Sequence, residues 1–148
     1  MYTQVVDYDL LGWEEVRRQL EDAGTYWVIG RGSGHPHPRP VWGVWLDDSL
    51  RLSLGSPVLR RELAADPAVT VHLDSGTDVV IVEGTASLLE GADVAPSLAA
   101  YDRKYDWKYD PDTYGPLTLV RPSTVFAWRA AGPAGRDGFQ QASRWRFA

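Results

Sequence analysis

Three groups of side chains in this chain have the types and spacing for chemistry. Ser56-Pro57 followed by Arg60 and Arg61 reads as a helix start, with Ser56 at the N-cap and Pro57 in the first turn. The free amides and dipole of such a start favour negative charge, and an arginine fork suits a phosphate. A plain capped helix with its arginines in solvent would carry the same residues, so the pattern marks a candidate anion site only. His35-Pro-His37 could present two imidazoles on one face of an extended strand, with His72 as a third. A metal site needs three or four convergent ligands with outer support, and nothing places His72 or a carboxylate beside the pair. No metal is expected. The third group is aromatic: seven tryptophans and seven tyrosines in 148 residues. That density either fills a barrel core or lines a site for a flat ligand. Trp42, Trp45, Trp107, Trp128 and Trp145 each suit a core taken singly; their number suggests that some do not.

Other chemistries are absent from the chain. It has no cysteine, which excludes thiolate catalysis, disulfides and cysteine-ligated metal and agrees with a cytoplasmic protein. There is no G-x-S-x-G elbow for a serine nucleophile. Gly30-Arg-Gly-Ser-Gly34 has the composition of a phosphate loop, but it lies between two strands rather than before a helix and reads as a turn. A net charge of −5 argues against a nucleic-acid surface. No apolar run approaches the ~20 residues of a membrane span, and the segment from Met1 to Glu15 shows no signal-peptide pattern. Neither nucleic acid nor membrane is an expected partner.

The elements that must position these groups follow from periodicity. Leu10 to Ala23 predicts an amphipathic helix with Leu10, Trp13, Val16, Leu20 and Ala23 on one face. A strand from Thr25 should pair antiparallel with a Pro-laced strand, where Pro36, Pro38 and Pro40 leave one edge without donors. Trp42, Val44 and Leu46 share a face of its continuation, Asp47-Asp48-Ser49 turns the chain, and Leu50, Leu52 and Leu54 alternate on the return. The helix opened by Ser56 should stop at Asp66-Pro67. Strands follow from Ala68 and from Val79, with Gly84 marking a bulge or a close approach. A helix over 93–105 leads into the aromatic loop Tyr105-Asp-Trp-Lys-Tyr. Strands at Leu117–Val120 and Ser123–Arg129 should be interrupted at Pro122. A Gly/Pro-rich loop, Ala131–Gly138, is expected to be mobile, and Arg144-Trp-Arg-Phe closes the chain as a strand with Trp145 and Phe147 on one face. At 148 residues this is one domain, mainly β with inserted helices, and six or seven antiparallel strands favour a closed or split barrel.

Read in order, Gly34-His-Pro-His-Pro-Arg-Pro-Val-Trp, Leu52-Ser-Leu-Gly, Leu63-Ala-Ala-Asp-Pro and Val82-Glu-Gly resemble the pyridoxamine-phosphate-oxidase-like family. The likeness continues through Lys104-Tyr-Asp-Trp, Arg121-Pro-Ser-Thr-Val-Phe-Ala-Trp and Arg144-Trp-Arg-Phe, and so spans most of the chain. The resemblance implies an FMN-binding type of split β-barrel and a homodimer. It implies FMN, or an 8-hydroxy-5-deazaflavin coenzyme of the F420 type, in a groove at the subunit interface. Carried over by position, Arg39 and Ser53 fall near the coenzyme phosphate and Pro40, Val41 and Trp42 near the ring system. Leu54, Gly55, Ser56, Arg60 and Arg61 complete the implied coenzyme site. Lys104, Tyr105, Trp107, Arg144 and Trp145 are the candidates for a substrate or cross-dimer groove. The chain departs from the FMN oxidases at the helix start, where Pro57-Val58-Leu59 replaces a Ser-Arg-Lys-like triplet, and at Val79, where a glutamine often stands. The implied activity is hydride transfer to or from a small organic substrate, carried by the coenzyme, with no catalytic acid or base named. The alternative is a non-catalytic module binding a flavin, a haem or another planar ligand on the same scaffold.

Overall fold

A computed structural model describes residues 2–4, 11–130, 132, 133, 136 and 138–148. Its elements are β1 (Tyr2–Gln4), α1 (Trp13–Asp22), β2 (Tyr26–Gly30), β3 (Arg39–Val41), β4 (Gly43–Leu46) and β5 (Ser49–Leu52). They continue with α2 (Pro57–Ala65), β6 (Ala68–His72), β7 (Asp78–Leu88), α3 (Val94–Tyr105), α4 (Pro111–Tyr114), β8 (Thr118–Ala130) and β9 (Phe139–Phe147). All strand pairs are antiparallel, in the order β1-β9-β8-β7-β6-β2-β3, with β5 joining β4 to β8. The mainly β split barrel expected from the sequence is what forms. Strand segments outnumber the six or seven expected because β1 adds to β9 and because the chain around Trp42 divides into β3 and β4.

That division is how the barrel closes. β3 pairs with β2, whereas β4 pairs with β5. At Trp42 the chain leaves one neighbour for the other, and the Trp42 carbonyl already accepts from Ser53 N–H at 2.9 Å. Asp47 and Asp48, both at φ +50°, form the two-residue hairpin turn whose twist suits paired strands. Of the Pro-laced stretch only Arg39–Val41 is strand; Pro36 and Pro38 precede it in irregular, exposed chain. β3 is nevertheless the free edge that the prolines predict.

Pro122 does not interrupt β8. It lies opposite Gly84 where the β7–β8 register shifts, Glu83 facing Thr124 and Gly84 facing Pro122, so Ser123 is the extra residue of a bulge. The Ser123 hydroxyl donates to the Glu83 carbonyl at 3.0 Å. A Cβ on Gly84 would sit 2.4 Å from the Arg121 carbonyl oxygen, which is why glycine is needed there. Before the bulge β8 pairs with β5, and after it with β9.

The barrel is filled by Val28, Leu50, Leu52, Leu54, Val71, Val82, Val125 and Trp145, and α1 closes one end with Trp13, Val16 and Leu20. Trp13 packs against Trp45 and Trp145 at centroid distances of 6.1 and 5.4 Å. α1 is shorter than Leu10–Ala23, and Leu10 lies outside the described residues. A second cluster, Val44, Leu89, Tyr101, Tyr109, Leu117 and Leu119, lies outside the barrel under α3. Val44 and Trp45 thus face opposite clusters, so β4 is buried on both sides. The expectation of a mobile Ala131–Gly138 loop falls on Ala131, Ala134, Gly135 and Asp137, which lie outside the described residues. Among the described residues no helix is long and apolar enough to cross a membrane.

Candidate functional site

A groove of about 400 Å³ opens where three segments meet. Arg39, Pro40, Val41 and Trp42 come from β3 and the joint after it; Ser53, Gly55 and Ser56 come from the turn between β5 and α2; Tyr101 and Trp107 come from α3 and its exit. These segments converge because β5 must pair with β4, and α3 packs on the outer face of that pair through Val44 and Tyr101.

One end of the groove is aromatic. The Trp42 ring stacks on Tyr105 at 4.5 Å between centroids and 1° between planes, and Trp107 meets Trp42 edge-on at 5.9 Å. Asp106, at φ +50°, ends α3 in a left-handed conformation and turns the chain toward Trp107. Trp42 and Trp107 remain 44% and 38% exposed, whereas Trp45 and Trp145 are 6% and 0% exposed. These four tryptophans therefore divide into walls and core.

The other end suits an anion. Ser56 caps α2 by accepting the Leu59 N–H at 3.2 Å. Pro57 has no N–H; Ser53 and Arg39 line this end, and the Arg39 guanidinium donates to the Pro38 carbonyl at 2.9 Å with His37 Nδ1 3.4 Å away. Tyr101 lies in the floor. Its buried hydroxyl has no hydrogen-bond partner of good geometry, and burial pushes its ionisation well up, opposed in part by Ser53. It stays a phenol, with a proton to donate. Nothing in the residue pattern singled out Tyr101 beyond its place on the apolar face of α3; the four-residue spacing of Tyr101, Tyr105 and Tyr109 was the available sign.

Behind the aromatic end lies Lys104. Its Nζ donates to Tyr26 Oη at 2.8 Å and to the Gly43 carbonyl at 2.9 Å, and stands 4.8 Å from the centre of the Tyr26 ring. Burial lowers its pKa to about 8, opposed by Asp22.

No protein-family model matches the chain, and no curated protein matches it. Solved structures do. A candidate pyridoxamine 5'-phosphate oxidase from Listeria innocua superposes with a TM-score of 0.62 at 17% identity, covering 77% of this chain and 95% of its own. An F420 reductase gives 0.58 at 20% identity, over 74% and 94%. A heme-binding protein from Mycobacterium smegmatis gives 0.65 at 20%, over 89% and 57%. The fold is the split barrel of the pyridoxamine-phosphate-oxidase type.

On this split barrel the expected site residues separate into those the groove gathers and those it does not. Arg39, Pro40, Val41, Trp42, Ser53, Gly55, Ser56 and Trp107 line it, and Tyr105 supports Trp42 from behind. Five others lie apart from it. Leu54 is 1% exposed and belongs to the barrel core. Arg60 turns away from the helix start: its Nε donates to the Leu54 carbonyl and its Nη2 to the Tyr114 carbonyl at 2.9 Å, tying α2 to α4. Arg61, one residue on and about 100° around the helix, is exposed and outside the groove. Trp145 is fully buried against Trp13. Arg144 lies half-buried on β9, away from the groove lining.

Proposed function

We propose that the groove holds the coenzyme of a flavin- or deazaflavin-dependent oxidoreductase. The observation that carries this reading is the pairing, in one groove, of an exposed indole wall with an anion-suited helix start. A planar ring with a phosphate-bearing tail has that same polarity. Trp42 and Trp107 would flank the ring, while Ser53, the Ser56–Val58 turn and Arg39 would receive the phosphate. The Tyr101 phenol, buried in the floor beside Ser53, supplies a hydroxyl there. A bound flavin or deazaflavin supplies hydride chemistry of its own; the chain binds and orients it and shields it from water.

Among the described residues the groove lining contains no carboxylate, histidine or lysine. That favours, as the second reading, a non-catalytic module for a planar ligand on the same scaffold. Titration with FMN, with an 8-hydroxy-5-deazaflavin coenzyme and with haem, followed by absorbance, separates the readings. Binding of a flavin or deazaflavin with turnover by an added reductant supports the first. A Soret band, or binding without turnover, supports the second; no binding of any of the three at micromolar concentration rejects both.

The same reading favours a homodimer. The free β3 edge, the exposed Pro36–Pro40 segment and Trp42 lie together, and an uncovered strand edge beside an exposed indole is better buried.

A further inference from the structure

The split in the barrel is bridged by side chains of α3. Beyond Val41, opposite Tyr26, β2 and the β3–β4 chain part company, so Gly24 and Gly43 face each other without a ladder. The Trp42–Ser53 bond makes Gly43, next along, a position whose N–H and C=O point away from β5, toward the split. Two buried backbone groups would be left unpaired there. The Gly43 N–H instead donates to Tyr105 Oη at 3.0 Å, and the Gly43 carbonyl accepts from Lys104 Nζ at 2.9 Å. The Tyr105 hydroxyl has two acceptors in reach, the Gly24 carbonyl at 2.9 Å and the Gly43 carbonyl at 3.0 Å. Lys104 continues the bridge to Tyr26 Oη, which donates to the Leu20 carbonyl at the end of α1. A side chain on residue 43 would not fit, since its Cβ would lie 2.8 Å from the Arg51 carbonyl oxygen.

Tyr105 thus holds the N–H of the peptide that joins Trp42 to Gly43, and Lys104 holds the carbonyl of the next peptide along. We propose that Lys104 is a positioning residue: with Tyr105 it grips Gly43 through both of its flanking peptides and thereby fixes the neighbouring Trp42 ring as the wall of the groove. The proposal rests on the coenzyme reading only for what the wall binds. A lysine suits the task because a single ammonium satisfies two acceptors on different strands, and no carboxylate lies within ion-pairing distance of it among the described residues to draw it away.

The test uses Lys104→Met, Lys104→Arg and Tyr105→Phe, read in two ways. Without ligand, the near-ultraviolet circular dichroism of Trp42, assigned by difference from Trp42→Phe, should weaken in Lys104→Met and Tyr105→Phe and recover in part in Lys104→Arg. With riboflavin as a probe of the ring alone, affinity should fall about tenfold in the first two, on the scale of one lost hydrogen bond. A lower melting temperature with an unchanged Trp42 band and unchanged riboflavin affinity would make Lys104 merely structural and overturn the proposal. If the wild type binds no flavin, the coenzyme reading fails and the Trp42 band alone decides the role of Lys104. Should Lys104→Met not fold, Lys104→Arg decides it: a Trp42 band and riboflavin affinity equal to wild type despite the altered bonds to Gly43 and Tyr26 would overturn the proposal.

Discussion

The indole of Trp42 and the ring of Tyr105 are parallel to within 1°, 4.5 Å apart, although Trp42 belongs to the barrel and Tyr105 to the helix laid against it. A stack of this kind leaves one face of Trp42 for a ligand. Trp42→Ala should lower riboflavin affinity by about tenfold or more, in line with base–aromatic stacking of 1–3 kcal/mol, and change stability little. Trp145→Ala, at a fully buried position, should instead cost roughly 3–5 kcal/mol of stability. Equal melting temperatures for the two variants, by calorimetry, would contradict the division into wall and core.

Arg39 and Arg61 should behave differently. Arg39→Ala should weaken FMN binding roughly ten- to a hundredfold, the loss of a charge-assisted bond to phosphate, with little effect on riboflavin. Arg61→Ala should leave both unchanged. Isothermal titration at two salt concentrations checks this, and equal affinity of wild type for FMN and riboflavin would show that the α2 start holds no anion.

Arg60 and Gly84 concern the frame. Arg60→Ala removes donors to the Leu54 and Tyr114 carbonyls and should cost about 1–3 kcal/mol. Gly84→Ala puts a methyl against the Arg121 carbonyl and should cost about 1–3 kcal/mol through overpacking. Urea denaturation measures both; a neutral Gly84→Ala would mean that the bulge can shift.

Stability should pass through a maximum on the alkaline side. The folded chain holds Lys104 at a pKa of about 8 against an ordinary 10.5, with Tyr26, Tyr105 and the Asp22 carboxylate around it. Between those values the unfolded chain keeps a proton that the folded chain has lost, so stability rises with pH. Tyr26, Tyr101 and Tyr105 have phenols raised by burial above the ordinary 10.0. Their contribution is complete below that pH and is lost above it. Denaturation midpoints should therefore rise from pH 8 to about 10 and fall beyond, and Lys104→Met should lack the rise.

The barrel was legible in the residues because its determinants are local. Alternation at Leu50, Leu52 and Leu54, the Asp47-Asp48 turn, the Ser56-Pro57 cap and the Gly84 bulge each follow from a few neighbouring side chains. Pro122 was misleading for a tertiary reason: a proline tolerates a strand where the opposite register slips, and that slip depends on Gly84, far away in sequence. The groove was half legible. Segments 39–42 and 53–56 were found as stretches, but individual directions were not, since Arg60 is turned by acceptors on Leu54 and Tyr114. Trp145 and Trp42 are chemically alike, and only packing against Trp13 or Tyr105 tells core from wall.

The homodimer should appear in light scattering at micromolar concentration as twice the chain mass, and Trp42→Arg should shift it toward monomer. A monomeric wild type would sink the interface reading.

β7 ends at Leu88, paired with Thr118 at the start of β8, and the Leu89 N–H donates to the Leu117 carbonyl at 2.8 Å. Everything between, including α3 and the aromatic segment after it, leaves and re-enters the barrel through this single neck. Such an excursion is a cassette: its length and sequence can vary at a cost that grows only with the logarithm of loop length, while strand register stays untouched. Tyr101, Lys104, Tyr105 and Trp107 all ride on it. A transplanted Leu89–Leu117 stretch would carry Tyr101 and Trp107 with it and leave Trp42 on the barrel.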